Sequence, residues 1–370
     1  MDRTLVHRCA RRSAAVIAAV LLVVVLVAPA GASSSRVDRD LTVMTQNLYL
    51  GSSLTPALTA TTPDQFVAAV SQIYATVQYT DFPARAKAIA DEIQAHRPDL
   101  IGLQEVSRWT TAGVNPPAGY DFLAILQAEL ASRNLDYSVA AVAENADIGP
   151  APLASLSCLS PAGITCTVRL QDRDVILVND DRSDLTWSQP RSGRYDAQVE
   201  IPSAVGPLSF DRGWATIEAR LAGHPFRFAV THLETEDFPA VQEAQAAEFL
   251  AGPGRGGTII ATGDFNSAAD GSTTTSYAQL TAPGKYRDAW DEATLGSGST
   301  CCQRSNTPPL APGALNNPAS TLDTRIDLVL GRGSARAESA VVVGDTPFQV
   351  VPPFWPSDHA GVVAEMRLSG

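Results

Sequence analysis

Thr258-Ile259-Ile260-Ala261-Thr262-Gly263-Asp264-Phe265-Asn266 is a short apolar run that stops abruptly at an acid and an amide. A run of this length, rich in β-branched residues and bounded by polar ones, reads as a strand buried on both faces. In an extended chain residues two apart share a face, so Asp264 and Asn266 stand side by side at its end. Asp-x-Asn is also a common turn, and alone it decides nothing. Its weight comes from recurrence.

Outward from this stretch the same pattern returns. Leu41-Thr-Val-Met-Thr-Gln-Asn47 ends in an amide and Leu100-Ile-Gly-Leu-Gln-Glu105 in a carboxylate. Phe226-Arg-Phe-Ala-Val-Thr-His232 puts Phe226, Phe228, Val230 and His232 on one face. Arg325-Ile-Asp327-Leu-Val-Leu330 carries an acid on the polar face of an apolar strand, and Trp355-Pro-Ser-Asp358-His359 sets acid and imidazole together in a loop. Strand ends are where α/β folds assemble sites, because the scaffold is rigid and its tips converge. Taken singly, a terminal Glu is usually a solvated carboxylate and a terminal His a hydrogen-bonded scaffold residue. No G-x-x-x-x-G-K-[ST], G-x-S-x-G or H-E-x-x-H occurs, which sets aside P-loop, nucleophile-elbow and zincin chemistry.

Further β-rich runs cover 137–142, 174–178, 214–220, 340–343 and 361–366. Helical spacing appears over Asp64–Val77 and Arg85–His96, and helices are also expected over 122–132 and 238–250. Stretches 110–119, 145–165 and 296–320, rich in Gly, Pro, Ser or Thr, read as loops. None resembles a linker between independent halves, and chemistry-bearing residues spread from 47 to 359. The expectation is one catalytic domain over 41–368.

The N-terminus is different in kind. Arg3, Arg8, Arg11 and Arg12 precede an uncharged apolar run, Ala14–Val27, and then Ala28-Pro-Ala-Gly-Ala32. This is the pattern of a secretory signal peptide over 1–32, and the apolar run is too short to span a bilayer well. A secreted protein is expected. Removing those residues leaves 23 basic and 38 acidic side chains, a balance of −15. Such a field repels polyanions at long range and disfavours a scanning nucleic-acid binder, though it says little about an enzyme meeting one phosphate through a cation. Cys158, Cys166, Cys301 and Cys302 remain, an even number in an oxidising compartment, which reads as disulfides with three possible pairings. Zinc would need spaced pairs or His partners, and the sequence shows neither.

In their order along the chain, Thr45-Gln-Asn47, Leu103-Gln-Glu105, Thr231-His232-Leu233, Gly263-Asp264-Phe265-Asn266, Arg325-Ile-Asp327 and Ser357-Asp358-His359 resemble the motifs of the endonuclease/exonuclease/phosphatase superfamily. That superfamily holds pancreatic-type deoxyribonucleases, apurinic endonucleases, bacterial sphingomyelinases and inositol polyphosphate 5-phosphatases. The resemblance implies a four-layered α/β sandwich, two facing mixed sheets with helices outside. It implies Glu105 as principal metal ligand with Asn47 and Asp358 nearby. Asp264 and Asn266 would orient the attacking water and the phosphate, His359 and Asp327 would form an imidazole–carboxylate pair, and His232 would face the phosphate. Leu233-Glu234 suits the sphingomyelinase-like and deoxyribonuclease-like branches. Arg173 and Asp174, taken as loop residues, and Arg212 lie where members of the superfamily contact substrate.

Elementary chemistry points the same way. Phosphoester hydrolysis loads charge onto oxygens already charged, and a carboxylate-bound hard cation neutralises it. Oxygen ligands suit Mg²⁺, Mn²⁺ or Ca²⁺ rather than zinc. Two imidazoles supply proton transfer near neutral pH. The expected function is a secreted, divalent-metal-dependent phosphodiesterase acting on a phospholipid head group or a nucleic acid, as a monomer with no stable protein partner. Phe348, Phe354 and Trp355 could meet a membrane or stack on bases, or simply pack locally. The reading from another class is a non-catalytic phosphate- or lipid-binding domain on the same fold.

Overall fold

Leu41 and Val43 of the first strand face one core while Met44, one step out of phase, faces another. A strand that alternates between two apolar environments must be sandwiched, and that sets the architecture. The computed structural model describes residues 39–369 except 162, 295 and 307. The signal-peptide stretch lies outside the described residues. Among them, no helix is long and apolar enough to cross a membrane.

The main strands are β1 (Asp40–Asn47), β2 (Leu100–Gln104), β3 (Arg108–Gly113), β4 (Tyr137–Pro152), β5 (Cys166–Asn179), β6 (Leu185–Arg194), β7 (Gly213–Leu221), β8 (His224–His232), β9 (Ile259–Asp264), β10 (Asp327–Arg332), β11 (Ala335–Val343) and β12 (Gly361–Leu368). The main helices are α1 (Pro63–Tyr79), α2 (Phe82–His96), α3 (Phe122–Ser132) and α4 (Pro239–Ala251). One mixed sheet runs β11-β12-β1-β2-β5-β3, ending in Tyr120–Asp121, with β4 also paired to β5. The other runs from Arg287–Asp288 through β10-β9-β8-β7 to β6. Each sheet has one parallel pair at its heart, β1 with β2 and β8 with β9. Helices fill both crossovers, as parallel pairing requires.

Three apolar cores separate four layers. Leu41, Val43, Leu100, Ile176, Ile217, Phe228, Val230, Ile260 and Val329 meet between the sheets. Phe66, Ile73, Ile89 and Leu126 of α1, α2 and α3 cover the outside of the first sheet on Met44, Ile101 and Leu177. Phe249 of α4 covers the second on Ala261 and Leu330. This is the four-layered α/β sandwich expected. The sheets come closest at Gly102, where an added Cβ would lie 2.1 Å from Thr262 Oγ1.

All four predicted main helices form, and every predicted strand is present, although β4 ends ten residues later and β5 begins eight residues earlier than expected. Two predicted loops are corrected. Stretch 110–119 begins inside β3, and β4 extends to Pro152 before a small hairpin, Leu159–Ser160 with Gly163–Ile164. β4 and β5 pair well past the core with several register shifts. Such an exposed, bulged ribbon has no apolar period to read. The hairpin is closed by a Cys158–Cys166 disulfide, and Cys301 pairs with its neighbour Cys302.

Candidate active site

The face of each strand that builds the core between the sheets turns polar as it approaches one edge. Val43 is followed on that face by Thr45 and Asn47, and Val230 by His232. Ile260 gives way to Thr262 and Asp264, and Val329 is preceded by Asp327. Because β8 and β9 are parallel in register, His232 lies directly beside Asp264; because β9 and β10 are antiparallel, Asp264 lies directly beside Asp327. The carboxylate end of Asp264 is the meeting point. Its Oδ2 accepts from Asn47 Nδ2 of the opposite sheet at 3.1 Å and lies 3.4 Å from His232 Nε2 and 3.8 Å from His359 Nδ1. Its Oδ1 accepts from the Asn266 backbone amide at 2.9 Å, with Asn266 at positive φ.

His359 arrives from the loop before β12. Its Nδ1 lies 2.9 Å from Asp327 Oδ2, which fixes the ring and leaves Nε2 free of carboxylates. Burial pulls the imidazole pKa down, but Asp327, Asp264 and Asp358 together hold it well above its ordinary value. His232 goes the other way: burial, the Arg212 guanidinium and His359 all disfavour its cation. It sits 3.1 Å from Arg212 Nη1 and 3.0 Å from Asn266 Nδ2. One imidazole is thus biased charged and the other neutral. Burial lifts the carboxyls of Asp264 and Asp358 to about 7, against the attraction of His359; Asp327 adds to the rise at Asp264, and Glu105 at both.

Glu105, at positive φ just beyond β2, accepts from the Leu50 amide through Oε2 at 2.7 Å. It and Asp358 line an open cleft of about 500 Å³ whose walls include Tyr49, Arg212, Glu234 and Cys302. Asn47 is committed at both ends, with Oδ1 accepting from the Tyr49 amide at 2.8 Å. One lone pair of that oxygen is left for anything else. Segment 300–303 stitches the two sides of the site together. Thr300 Oγ1 accepts from the amides of Ile326 and Asp327 at 3.2 Å, and its carbonyl accepts from Ala360 at 2.7 Å. The adjacent Cys301 and Cys302 sulfurs lie 3.7 and 3.9 Å from His359 Nε2.

Asn47, Glu105, His232, Asp264, Asn266, Asp327, Asp358, His359 and Arg212 therefore gather at one sheet edge. Two expected substrate contacts do not join them. Arg173 is in a strand, not a loop, and alternation turns it away from the cleft, onto Asp121 at 2.6 Å and the Val106 carbonyl at 2.8 Å. Trp355 is 1% exposed, packed with Tyr49 and Leu315, and donates Nε1 to the Asn317 carbonyl. It has no face to offer a membrane or a base.

Several residues were missed. Arg85, fully buried in α2, donates to the carbonyls of Thr80, Leu48 and Pro356 and holds the backbone that carries Tyr49 and Ser357. A polar side chain on a helix's buried face was the available signal. Glu234 pairs with Arg212 at 3.4 Å on the cleft wall. Asp172, also missed, and Asp174, expected in a loop but lying in β5, flank the outward-turned Arg173 and face Asn145, buried, with both carboxyls raised by burial.

The sequence profile of the endonuclease/exonuclease/phosphatase family matches residues 44–359. A search of curated proteins gives no match. Among solved structures, a family protein of Bacteroides thetaiotaomicron superposes with a TM-score of 0.54 at 16% identity, covering 89% of this chain and 95% of that one. A mannosyl-6-phosphatase of the same organism gives 0.53 at 17% identity, covering 88% and 99%. A family protein of Leptotrichia buccalis gives 0.53 at 13% identity, again covering 88% and 99%. Those likenesses establish a shared sandwich, and the matched profile runs from β1 to His359. The chain belongs to the endonuclease/exonuclease/phosphatase family.

Proposed function

We propose that the chain is a secreted, divalent-metal-dependent phosphodiesterase of this family of phosphoester hydrolases, its catalytic domain spanning 41–368 behind a cleaved signal peptide, 1–32. One observation carries the reading: Asp264 sits between two imidazoles of opposite charge bias, beneath a cleft walled by carboxylates.

The donor set fits a hard cation. Glu105 and Asp358 both line the cleft and repel one another, a repulsion countered at Asp358 by His359 and Arg85, and both offer oxygen. They would hold Mg²⁺, Mn²⁺ or Ca²⁺, with Asn47 alongside, and a bound cation supplies neutralisation of the phosphate oxygens. The remaining work falls to this chain's side chains. Asp264, with a carboxyl near neutrality, takes a proton from the attacking water, while Asn266 keeps that carboxylate aimed. His359, held cationic by Asp327, donates a hydrogen bond from Nε2 to a phosphate oxygen or a proton to the leaving group. Arg212 and neutral His232 bind the opposite side of the phosphate. A non-catalytic binder would need no such proton-handling cluster.

The substrate reading favours a lipid head group over a nucleic acid. A small apolar cavity of about 60 Å³, lined by Phe66, Val70, Trp109 and Ile148, shares Leu54 and Leu58 with the cleft and gives that side of the wall an apolar character. The acidic balance works against a polyanion. The test is a panel of sphingomyelin, phosphatidylcholine, plasmid DNA, RNA and inositol phosphates, each with Mg²⁺ or EDTA. Choline phosphate release is expected from a lipid, stopped by EDTA and reduced by roughly 10³-fold or more in Glu105→Gln. Activity that survives both changes overturns the metal reading, and no turnover on any member overturns the enzyme.

A further inference from the structure

The sequence offers the cysteines no spaced pair and no neighbouring histidine, but the fold brings one. His359 Nε2 points at Cys301 Sγ and Cys302 Sγ from 3.7 and 3.9 Å, although 58 and 57 residues separate them in the chain. A tetrahedral zinc with Zn–S of about 2.3 Å and Zn–N of about 2.0 Å sets sulfur and nitrogen ligands about 3.5 Å apart. The observed nitrogen–sulfur separations need only small closure, while the two sulfurs, once reduced, must part to about 3.8 Å to take neighbouring corners. The other ring nitrogen is already held by Asp327 at 2.9 Å, the carboxylate–histidine arrangement that orients and strengthens an imidazole ligand. Backbone bonds hold the sulfur side as firmly. Cys301 exchanges amide and carbonyl with Thr324 at 2.9 and 3.1 Å, and Gln303 donates to the Asp358 carbonyl at 2.7 Å. Cys302 lines the cleft, which gives an ion a way in.

We infer that Cys301, Cys302 and His359 form a latent site for a thiophilic cation of the zinc class, closed while the two sulfurs are bonded and opened by reduction. Opening takes a thiol reductant: two RSH become RSSR as the Cys301–Cys302 bond breaks, and each sulfur leaves with a proton. Zn²⁺ then displaces those two protons together with the Nε2 proton of the His359 imidazolium, three in all, forming two Zn–S bonds and one bond to His359 Nε2. The cleft side supplies the fourth ligand, a water. Occupation takes Nε2 away from the phosphate. The hydrolase is therefore active when oxidised and silenced when reduced in the presence of zinc. The inhibition rests on the function proposed above, whereas the binding does not.

The experiment separates the two. The full chain, with and without a phosphine reductant, is titrated with Co²⁺, and the thiolate-to-cobalt charge-transfer band is followed, then displaced with Zn²⁺. The band should saturate at one equivalent in reduced protein and be absent from untreated protein, whose carboxylate site takes Co²⁺ without a thiolate band, and Cys301→Ser/Cys302→Ser should show no band. Circular dichroism on the same samples establishes that the chain stays folded. Because the reductant also opens the hairpin disulfide, Cys158→Ala/Cys166→Ala is run in parallel and should keep the band. Where hydrolysis has been found, the Zn²⁺ midpoint for inhibiting reduced enzyme should rise roughly tenfold or more in Cys301→Ser/Cys302→Ser. Folded, reduced protein without a band overturns the inference, as does a band that survives Cys301→Ser/Cys302→Ser. A band without catalytic activity on any substrate leaves the metal site standing and removes only the hydrolase.

Discussion

His359 has one nitrogen committed and one at work, and this division can be measured. If Asp327 serves only through the ring it orients, the two residues act as a unit. His359→Ala should lower turnover by roughly 10² to 10⁴ and Asp327→Asn by less, since the latter spoils tautomer and charge without removing the ring. The double variant should be little worse than His359→Ala. Turnover and thermal midpoint for all three decide it: losses that multiply, or that simply follow melting temperature, would mean the pair only packs. The members of the cluster were legible in the sequence because acid, amide and imidazole each closed an apolar run. Arg173 and Trp355 were misplaced for a related reason. Neighbours in sequence point to opposite sides of a strand, and Trp355 was the apolar plug beneath the site instead of its rim.

At the level of elements, the closest approach of the sheets and one helix contact give two further tests. Gly102 leaves no room for a methyl group against Thr262, whose Oγ1 donates to the Ala229 carbonyl at 3.0 Å. Gly102→Ala should cost about 1 to 3 kcal/mol in urea unfolding, the usual penalty of overpacking. Gly102→Ala/Thr262→Ala should recover part of it. Equal losses in both backgrounds would show that the sheets are not in contact there. On the outer side, Glu92 of α2 meets the segment after β11, and burial, then Asp345 and Asp91, push its carboxyl to about 8. The folded state holds that proton more tightly than the unfolded one. The stabilisation is complete below the ordinary carboxylate range and is lost as pH rises toward 8. Glu92→Gln should therefore gain about 1 to 3 kcal/mol over the native chain between pH 5 and pH 8.5, less than the full shift because the side chain keeps some water. Parallel melting curves across that window would exclude the effect. Amphipathic period made these helices readable, and two-sided burial made the core strands readable. β6 and the far end of β4 run in solvent, where no period is imposed, so they went unseen.

For the molecule as a whole, the basic start and short apolar run set an expectation that does not depend on the site. Secreted protein should begin at Ser33, shown by intact mass and N-terminal sequencing, and should carry no titratable thiol among its four remaining cysteines. Retention of residues 1–32 or four free thiols would place the protein in a different compartment.

The strand order described above has a temporal consequence. Among the described residues β1 is the first strand in sequence and β12 the last, and β1 lies between β2 and β12. The whole second sheet is synthesised in between, as one uninterrupted stretch from β6 to β10. A growing chain therefore carries β1 with one edge bare and lacks His359, which comes two residues before β12. No intermediate length can close the first sheet or complete the imidazole–carboxylate pair. Closure of the first sheet waits until β12 has been made, and a product that stops short of it lacks both that strand and His359.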